Sequence, residues 1–126
     1  MILVDTDVLI AHLGGVEAAR RWLRSARDSG PLHVSVVTIA ELIGGMRSSE
    51  RREVWTLLAS LRAEPVTEVI ARRAGEFRRN YARGHSGIGI ADYLIAATAD
   101  YHGADLQTLN VRHFPMFPDL EPPFTL

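Results

Sequence analysis

Short apolar runs that end in a polar or acidic residue alternate along this chain with longer segments of helical periodicity. The first such run, Ile2-Leu3-Val4, ends at Asp5 and has the continuous apolar character of a buried strand. Strands separated by helices favour a parallel sheet with helices on both faces, because parallel neighbours need a crossover connection. The pattern therefore predicts an α/β fold. Functional sites of such folds form beyond the carboxyl ends of the strands.

The expected elements follow from apolar spacing, helix caps and turn residues. Strands are predicted at residues 2–4, 32–36 and 105–109, with a connector or short strand at 64–66. Helices are predicted near residues 8–13, then at 16–28, 38–46, from Ser48 or Ser49 to Arg62, 67–82 and 90–101. Gly84 to Gly89 is a loop by composition, and the proline-rich tail is irregular. A chain of 126 residues without repeats or a linker suffices for one domain, 1–126.

Composition excludes several classes of site and of compartment. The chain has no cysteine, which removes disulfides, thiolate metal sites and cysteine nucleophiles. No apolar run approaches the roughly 20 residues of a membrane span, so no membrane partner is expected. The first residues carry no basic segment ahead of an apolar stretch, which argues against a signal peptide. A cytoplasmic location is the expectation.

The basic residues are all arginine, 14 in number, and the net charge of −1 alone predicts no nucleic-acid partner. Their distribution is more informative than their sum. Ten of them form three groups: Arg20, Arg21, Arg24 and Arg27; Arg51 and Arg52; Arg72, Arg73, Arg78 and Arg79. Solvated helix faces explain such groups. A phosphate-binding surface is the alternative, since the guanidinium fork matches phosphate oxygens.

Four acids lie in otherwise apolar stretches: Asp5, Asp7, Glu41 and Asp92. An unpaired buried carboxylate costs several kcal/mol, and a divalent cation can compensate several acids at once. Oxygen ligands select Mg²⁺, with Mn²⁺ as an alternative, over zinc. The histidines show no zinc-site spacing. Carboxylates converging on such a cation can activate water for attack on a phosphodiester.

Each acid also has a structural explanation. Asp5 could cap the helix that follows the first strand, and Asp92 could stabilise a first helical turn through the helix dipole. Glu41 could pair with an arginine. Asn110 follows the strand at 105–109, so it should reach the same sheet edge as Asp5. It could assist a metal site through its amide oxygen or merely shape a turn.

Four segments resemble the sequence motifs of PIN domains, in that family's order. They are Ile2 to Ile10, Val34 to Leu42, Gly87 to Ala99, and Leu106 to Phe114. One such segment would be a weak indication, whereas four in order across residues 2–114 are specific. The third and fourth segments and the short length are similar to VapC-type toxins of type II toxin–antitoxin pairs.

The resemblance implies a three-layer α/β/α domain with a central parallel sheet. It implies a Mg²⁺-dependent endoribonuclease that cuts single-stranded segments, often in transfer or ribosomal RNA. By position, Asp5, Glu41 and Asp92 take the acidic catalytic and metal-binding roles, and Asn110 stands where an aspartate is frequent. A cognate VapB-like antitoxin, a homodimer and a toxin–antitoxin hetero-oligomer are also implied. We expect Asp5, Glu41 and Asp92 to converge.

Two alternatives remain open at the level of the sequence. Asp5-Thr6-Asp7 after an apolar strand also resembles the start of haloacid-dehalogenase-type phosphatases, which usually need a lysine that this chain lacks. A non-catalytic PIN-fold module that binds RNA or protein is the other alternative. Asn110 favours that module, and the three acids argue against it.

Overall fold

The computed structural model describes all residues from Met1 to Leu126. Its strands are β1 Ile2–Val4, β2 Leu32–Ser35, β3 Arg62–Glu64 and β4 Asp105–Gln107. Its helices are α1 Thr6–Leu13, α2 Glu17–Asp28, α3 Val36–Gly45, α4 Arg51–Ala59, α5 Glu68–Tyr81 and α6 Ile90–His102. Short 3-10 turns at Ser48–Glu50 and Val111–His113 complete the assignment.

The four strands form one parallel sheet in the order β3-β2-β1-β4. The first strand is central, with Leu3 opposite His33 of β2 and Leu106 of β4. Because all strands run the same way, the residues that follow β1, β2 and β4 lie at one edge of the sheet. This edge collects Asp5, the start of α3 and the segment after Gln107, as the sequence pattern predicts.

Each face of the sheet is covered by its own hydrophobic cluster. On one face, Val4 and Val34 pack with buried residues of α1 to α4, including Leu9 and Leu57. On the other face, Leu3 and Leu106 pack against α6 and Phe114. A third cluster joins α5 to α6 through buried residues such as Ile70 and Tyr93. The predicted three-layer α/β/α arrangement with a parallel sheet is confirmed.

Two predicted boundaries are wrong for identifiable reasons. The second strand ends at Ser35 instead of residue 36, because the Ser35 hydroxyl accepts a hydrogen bond from the backbone N–H of Val37 and caps α3 at once. The helix predicted to reach Arg62 ends at Ala59, and Arg62 begins β3. The connector or short strand predicted at 64–66 is therefore a strand that begins two residues earlier, because its exposed residues carry no apolar period that could mark its start.

The ends of the other elements agree with the sequence to within one or two residues. Thr67 caps α5 by accepting the backbone N–H of Ile70, and Gly103 ends α6 in the left-handed region at φ 60°. No helix in the structure has the length and apolar character needed to cross a membrane.

Candidate active site

Asp5 lies at the junction between β1 and α1 and is only 5% exposed. One carboxylate oxygen, Oδ1, accepts the backbone N–H of Thr6 at 2.8 Å and so caps α1. The structural explanation of Asp5 is therefore correct for this oxygen. The other oxygen, Oδ2, lies away from the cap and is bound by a residue from the opposite end of the chain.

That residue is Thr108, which is fully buried just after β4. Its hydroxyl lies 2.7 Å from Oδ2 of Asp5 and 3.2 Å from Oδ2 of Asp7. Asp7 Oδ2 also accepts the backbone N–H of Leu109 at 3.0 Å. Thr108 thereby holds two carboxylates of the first segment against the end of the fourth strand.

The environment of these two acids opposes their ionisation. Burial, with a further contribution from the charge of Asp7, raises the pKa of Asp5 from an ordinary 3.8 to about 7, and the charge of Asp92 acts in the same direction. Burial also raises the pKa of Asp7. The Oδ1 atom of Asp7 is buried and has no hydrogen-bond partner. The site therefore concentrates negative charge that the chain itself does not neutralise.

Glu41 reaches this site through Thr6 and not through an arginine. Thr6 Oγ1 lies 2.6 Å from Glu41 Oε1 and 3.0 Å from Thr38 Oγ1. Because a carboxylate only accepts, the Thr6 hydroxyl donates to Glu41 and Thr38 donates to Thr6. Glu41 itself is exposed, contrary to the apolar setting that its neighbours in sequence indicate. Its helix turns the carboxylate outward beside α1.

Asp92 lies in the first turn of α6, where its Oδ2 accepts the backbone N–H of Gly89 at 3.2 Å. The same oxygen lies 3.0 Å from Nδ1 of His113 in the turn after β4. Asp92 is partly buried, and its charge is close enough to raise the pKa of Asp5. Asp92 therefore lies in the first turn of α6, as the helix-dipole explanation predicts, and is also close enough to act on Asp5.

Asn110 follows Thr108 at the same edge, and its side chain is exposed. Its backbone N–H donates to Thr108 Oγ1 at 3.1 Å, and its side chain forms no hydrogen bond. It lines a mainly apolar pocket of about 520 Å³ together with Asp7 and Ile10. The link between Asn110 and the acids is therefore its backbone N–H, which binds the same Thr108 hydroxyl that contacts Asp5 and Asp7.

Comparison with known proteins decides the family. A family model described as "PIN domain" matches residues 2–115. Ribonuclease VapC10 of Mycobacterium tuberculosis is 68% identical over 126 residues, which cover 100% of this chain and 95% of the relative. Ribonuclease VapC19 of the same organism is 44% identical, over 98% of this chain and 100% of the relative.

This chain belongs to the VapC ribonucleases of the PIN-domain family. Its fold also agrees with that of a solved toxin–antitoxin complex from Klebsiella pneumoniae, with a TM-score of 0.81, 24% identity and full coverage of both chains. The haloacid-dehalogenase alternative is therefore wrong, and identity to a ribonuclease over the whole length argues against a non-catalytic module.

The acids of this VapC ribonuclease do not form a closed ligand set. No group of three or more histidine, aspartate or glutamate side chains is close enough together to hold a metal ion. The expected convergence of Asp5, Glu41 and Asp92 is therefore not found: Asp5 and Asp7 share Thr108, whereas Glu41 is bound to Thr6 and Asp92 to Gly89 and His113. The chemistry of the donors nevertheless fits a hard cation. The donors are carboxylate oxygens, Asp7 Oδ1 is buried without a partner, and the charges of Asp7 and Asp92 add to burial in raising the pKa of Asp5.

Three polar residues of the ribonuclease site were not predicted from the sequence: Thr6, Thr108 and His113. Thr6 lies between two candidate acids in the first segment, and Thr108 lies two residues before Asn110. Spacing relative to the acids could have indicated both residues. His113 could not be found in this way, because its contact with Asp92 depends on the turn after β4.

Proposed function

We propose that this ribonuclease is a Mg²⁺-dependent endoribonuclease toxin that cleaves single-stranded segments of RNA and is inhibited by a cognate antitoxin. Mn²⁺ is an alternative ion. The enzyme would act on cytoplasmic RNA. The observation that carries the catalytic part of the proposal is the pairing of Asp5 and Asp7 on the Thr108 hydroxyl at the carboxyl edge of the sheet, where burial and the charges of Asp7 and Asp92 raise the pKa of Asp5.

The electrostatics of this edge support a bound cation. Two carboxylates share one buried hydroxyl, and one carboxylate oxygen is left without a partner. An uncompensated arrangement of this kind costs free energy in a protein interior. A divalent cation removes that cost by neutralising the charge. Asp5 and Asp92 would hold it, with Glu41 and Asn110 at the periphery.

When bound, Mg²⁺ lowers the pKa of a coordinated water and stabilises charge on the phosphodiester. The chain's own residues position the acids. Thr108 orients Oδ2 of Asp5, Thr6 orients the carboxylate of Glu41, and His113 orients Asp92. Asp5, Glu41 and Asp92 are therefore held by three different side chains, each of which fixes the direction of one carboxylate.

Cleavage of defined RNAs tests the catalytic proposal. Purified protein should cut a single-stranded RNA internally with Mg²⁺, should cut the same sequence much more slowly in a fully paired duplex, and should stop when EDTA is added. Equal cleavage with EDTA would contradict a metal requirement. Release of only terminal nucleotides would contradict internal cleavage.

An antitoxin partner follows from the VapC family and from the description of the Klebsiella pneumoniae neighbour as a toxin–antitoxin complex. We propose that this chain forms such a hetero-oligomer, with a homodimer of the ribonuclease within it. Expression of the chain alone should arrest growth, and co-expression with the neighbouring antitoxin gene should relieve the arrest. Harmless expression of folded, RNA-cleaving protein would contradict the toxin role.

A further inference from the structure

An open cleft of about 780 Å³ lies between α2 and α4, with the end of α1 forming one wall. It is separate from the acidic site, because His12 in its wall lies about 10 Å along α1 from Asp5. Arginine is the most frequent residue in its lining, from the first two arginine groups of the sequence: Arg20, Arg24, Arg27 and Arg52. Only two acids, Glu17 and Glu53, line the same cleft.

Most of this positive charge is not paired within the chain. Arg24 lies 3.7 Å from Glu17, and both side chains are largely exposed. Arg20, Arg27 and Arg52 form no ion pair with any carboxylate. The cleft therefore carries three guanidinium groups that are available to an anion.

Two of these guanidinium groups are held in position. Arg27 Nη2 donates to the hydroxyl of Ser60 at 2.6 Å, and that hydroxyl donates to the carbonyl of Leu57. Arg20 Nε contacts the carbonyl of His12 at 3.4 Å. A guanidinium has five N–H donors, so each arginine keeps several of them free. Anchoring reduces the entropy that is lost when a ligand binds.

His12 reports the electrostatic potential of the cleft. Burial lowers its pKa, and the charges of Arg20 and Arg27 lower it further against an opposing effect of Glu53. The histidine Nδ1 atom is buried and has no hydrogen-bond partner. This wall of the cleft therefore combines nearby positive charge with an unsatisfied polar group.

We propose that the cleft between α2 and α4 binds phosphate groups of an RNA strand at a distance from the cleavage site. The proposal rests on the proposed ribonuclease function, since it assigns a second contact to the same substrate. Guanidinium groups suit phosphate oxygens in geometry and charge. An acidic protein segment is less favoured, because only three of the twelve lining residues are hydrophobic and protein interfaces usually depend on apolar or aromatic anchors.

The test measures RNA binding without cleavage. The probe is a fluorescently labelled single-stranded RNA of about eight nucleotides, within the usual range of single-strand sites, in buffer with EDTA. The double variant Arg20→Gln/Arg27→Gln removes two phosphate contacts. The control Arg21→Gln/Arg79→Gln removes the same charge from exposed positions outside the cleft. Unchanged thermal unfolding verifies each fold. Should the double variant not fold, Arg52→Gln replaces it, because the Arg52 side chain forms neither a hydrogen bond nor an ion pair in the structure.

The cleft variant should bind the RNA about tenfold or more weakly at low salt. The plot of the logarithm of the binding constant against the logarithm of the salt concentration should become less steep by about 1.4. This corresponds to about 0.7 for each lost contact with a single strand. Arg52→Gln alone should make this plot less steep by about 0.7. The control should keep an affinity and slope much closer to wild type. Equal losses in the cleft variant and the control would overturn the proposal, since they would reflect net charge alone.

Three further results would also overturn it. Wild-type affinity and slope in the cleft variant would show that RNA does not use the cleft. Displacement of the RNA by adenosine monophosphate at similar concentrations would indicate a small-nucleotide site. A cleft variant that binds RNA normally but no longer binds a partner protein would show that the cleft is a protein-docking surface. All of these results concern RNA binding by the cleft. The proposed ribonuclease function is contradicted by a different result, namely that wild-type protein does not cleave RNA with Mg²⁺.

Discussion

The hydroxyl of Thr108 lies 2.7 Å from Oδ2 of Asp5, although 103 positions separate the two residues in the sequence. This contact joins the end of the fourth strand to the end of the first, its neighbour in the sheet. The hydroxyl is also within 3.2 Å of Asp7 but has one proton, so it can donate to only one carboxylate at a time. The remaining charge of the pair is left for another group to compensate.

Replacing Thr108 by valine keeps the shape of the side chain and removes its hydroxyl. Thr108→Val should reduce RNA cleavage and apparent Mg²⁺ affinity by about 10–100-fold, the usual effect of groups that orient metal ligands. Cleavage followed against Mg²⁺ concentration measures both quantities. Thr108→Ser keeps the hydroxyl and is the matched control. Identical curves for the valine and serine variants would show that the hydroxyl has no part in the site.

The raised pKa of Asp5 predicts how stability depends on pH in the metal-free protein. Between the ordinary pKa of 3.8 and the folded value of about 7, the folded state holds a proton that the unfolded state has lost. The free energy of unfolding should therefore fall as pH rises through this window, by up to about 1.4 kcal/mol per pH unit from this group. Below the window and above it, Asp5 should contribute no slope.

Urea unfolding in EDTA at a series of pH values measures this dependence. Asp5→Asn should flatten the curve and be more stable than wild type near neutral pH, because it removes a buried charge beside Asp7 and Asp92. Asp28→Asn, at an exposed position on α2, is the control and should keep the wild-type slope. A wild-type curve that rises from pH 4 to 7 would contradict the assigned environment of Asp5.

The sequence was sufficient to predict the architecture because its apolar pattern is regular where the structure is buried. Leu3, Val4 and Leu106 are nearly inaccessible, and the strands that contain them were predicted from their apolar character. The edge strand β3 was predicted two residues too late, as a connector or short strand at 64–66, because Arg62 and Ala63 are exposed and carry no apolar period. Pairing with β2 determines that strand, and pairing is a long-range interaction.

The candidate site was partly predictable for a similar reason. The acids stand out because carboxylates are unusual in apolar stretches, so Asp5 and Asp92 could be selected without coordinates. The groups that orient them could not all be selected, since threonine and histidine are common in many contexts. Thr108 and His113 acquire their roles from the sheet edge that brings residues more than 20 positions apart into contact.

Asn110 gives a prediction about charge at the site. Its side chain is exposed and unbonded beside Thr108, so Asn110→Asp should add a carboxylate without disturbing a contact. The variant should need a lower Mg²⁺ concentration for half-maximal cleavage, because another negative charge favours the cation. Asn110→Ala should need more, within the 10–100-fold typical of outer groups. Superimposable curves for wild type and both variants would make Asn110 a turn residue only.

His113 gives a prediction about the orientation of Asp92. His113→Leu removes the group 3.0 Å from the carboxylate and should weaken Mg²⁺ binding about tenfold or more, as for other residues that orient metal ligands. His113→Gln retains a donor and should recover part of the affinity. Calorimetric titration with Mg²⁺ in the absence of RNA measures the effect. Equal affinities for leucine and glutamine would mean that the hydrogen bond does not orient Asp92.

If the acids at the carboxyl edge of the sheet carry out Mg²⁺-dependent RNA cleavage, removing one carboxylate should abolish it. Single-turnover cleavage of one single-stranded RNA by wild type, Asp5→Asn, Asp92→Asn and the exposed control Asp28→Asn tests it most directly. The Asp5 and Asp92 variants should remain folded and cleave at least about 100-fold more slowly than wild type. This loss equals or exceeds the largest effect usual for residues that only orient metal ligands. The control should cleave like wild type. Cleavage near the wild-type rate by Asp5→Asn or Asp92→Asn would contradict the claim.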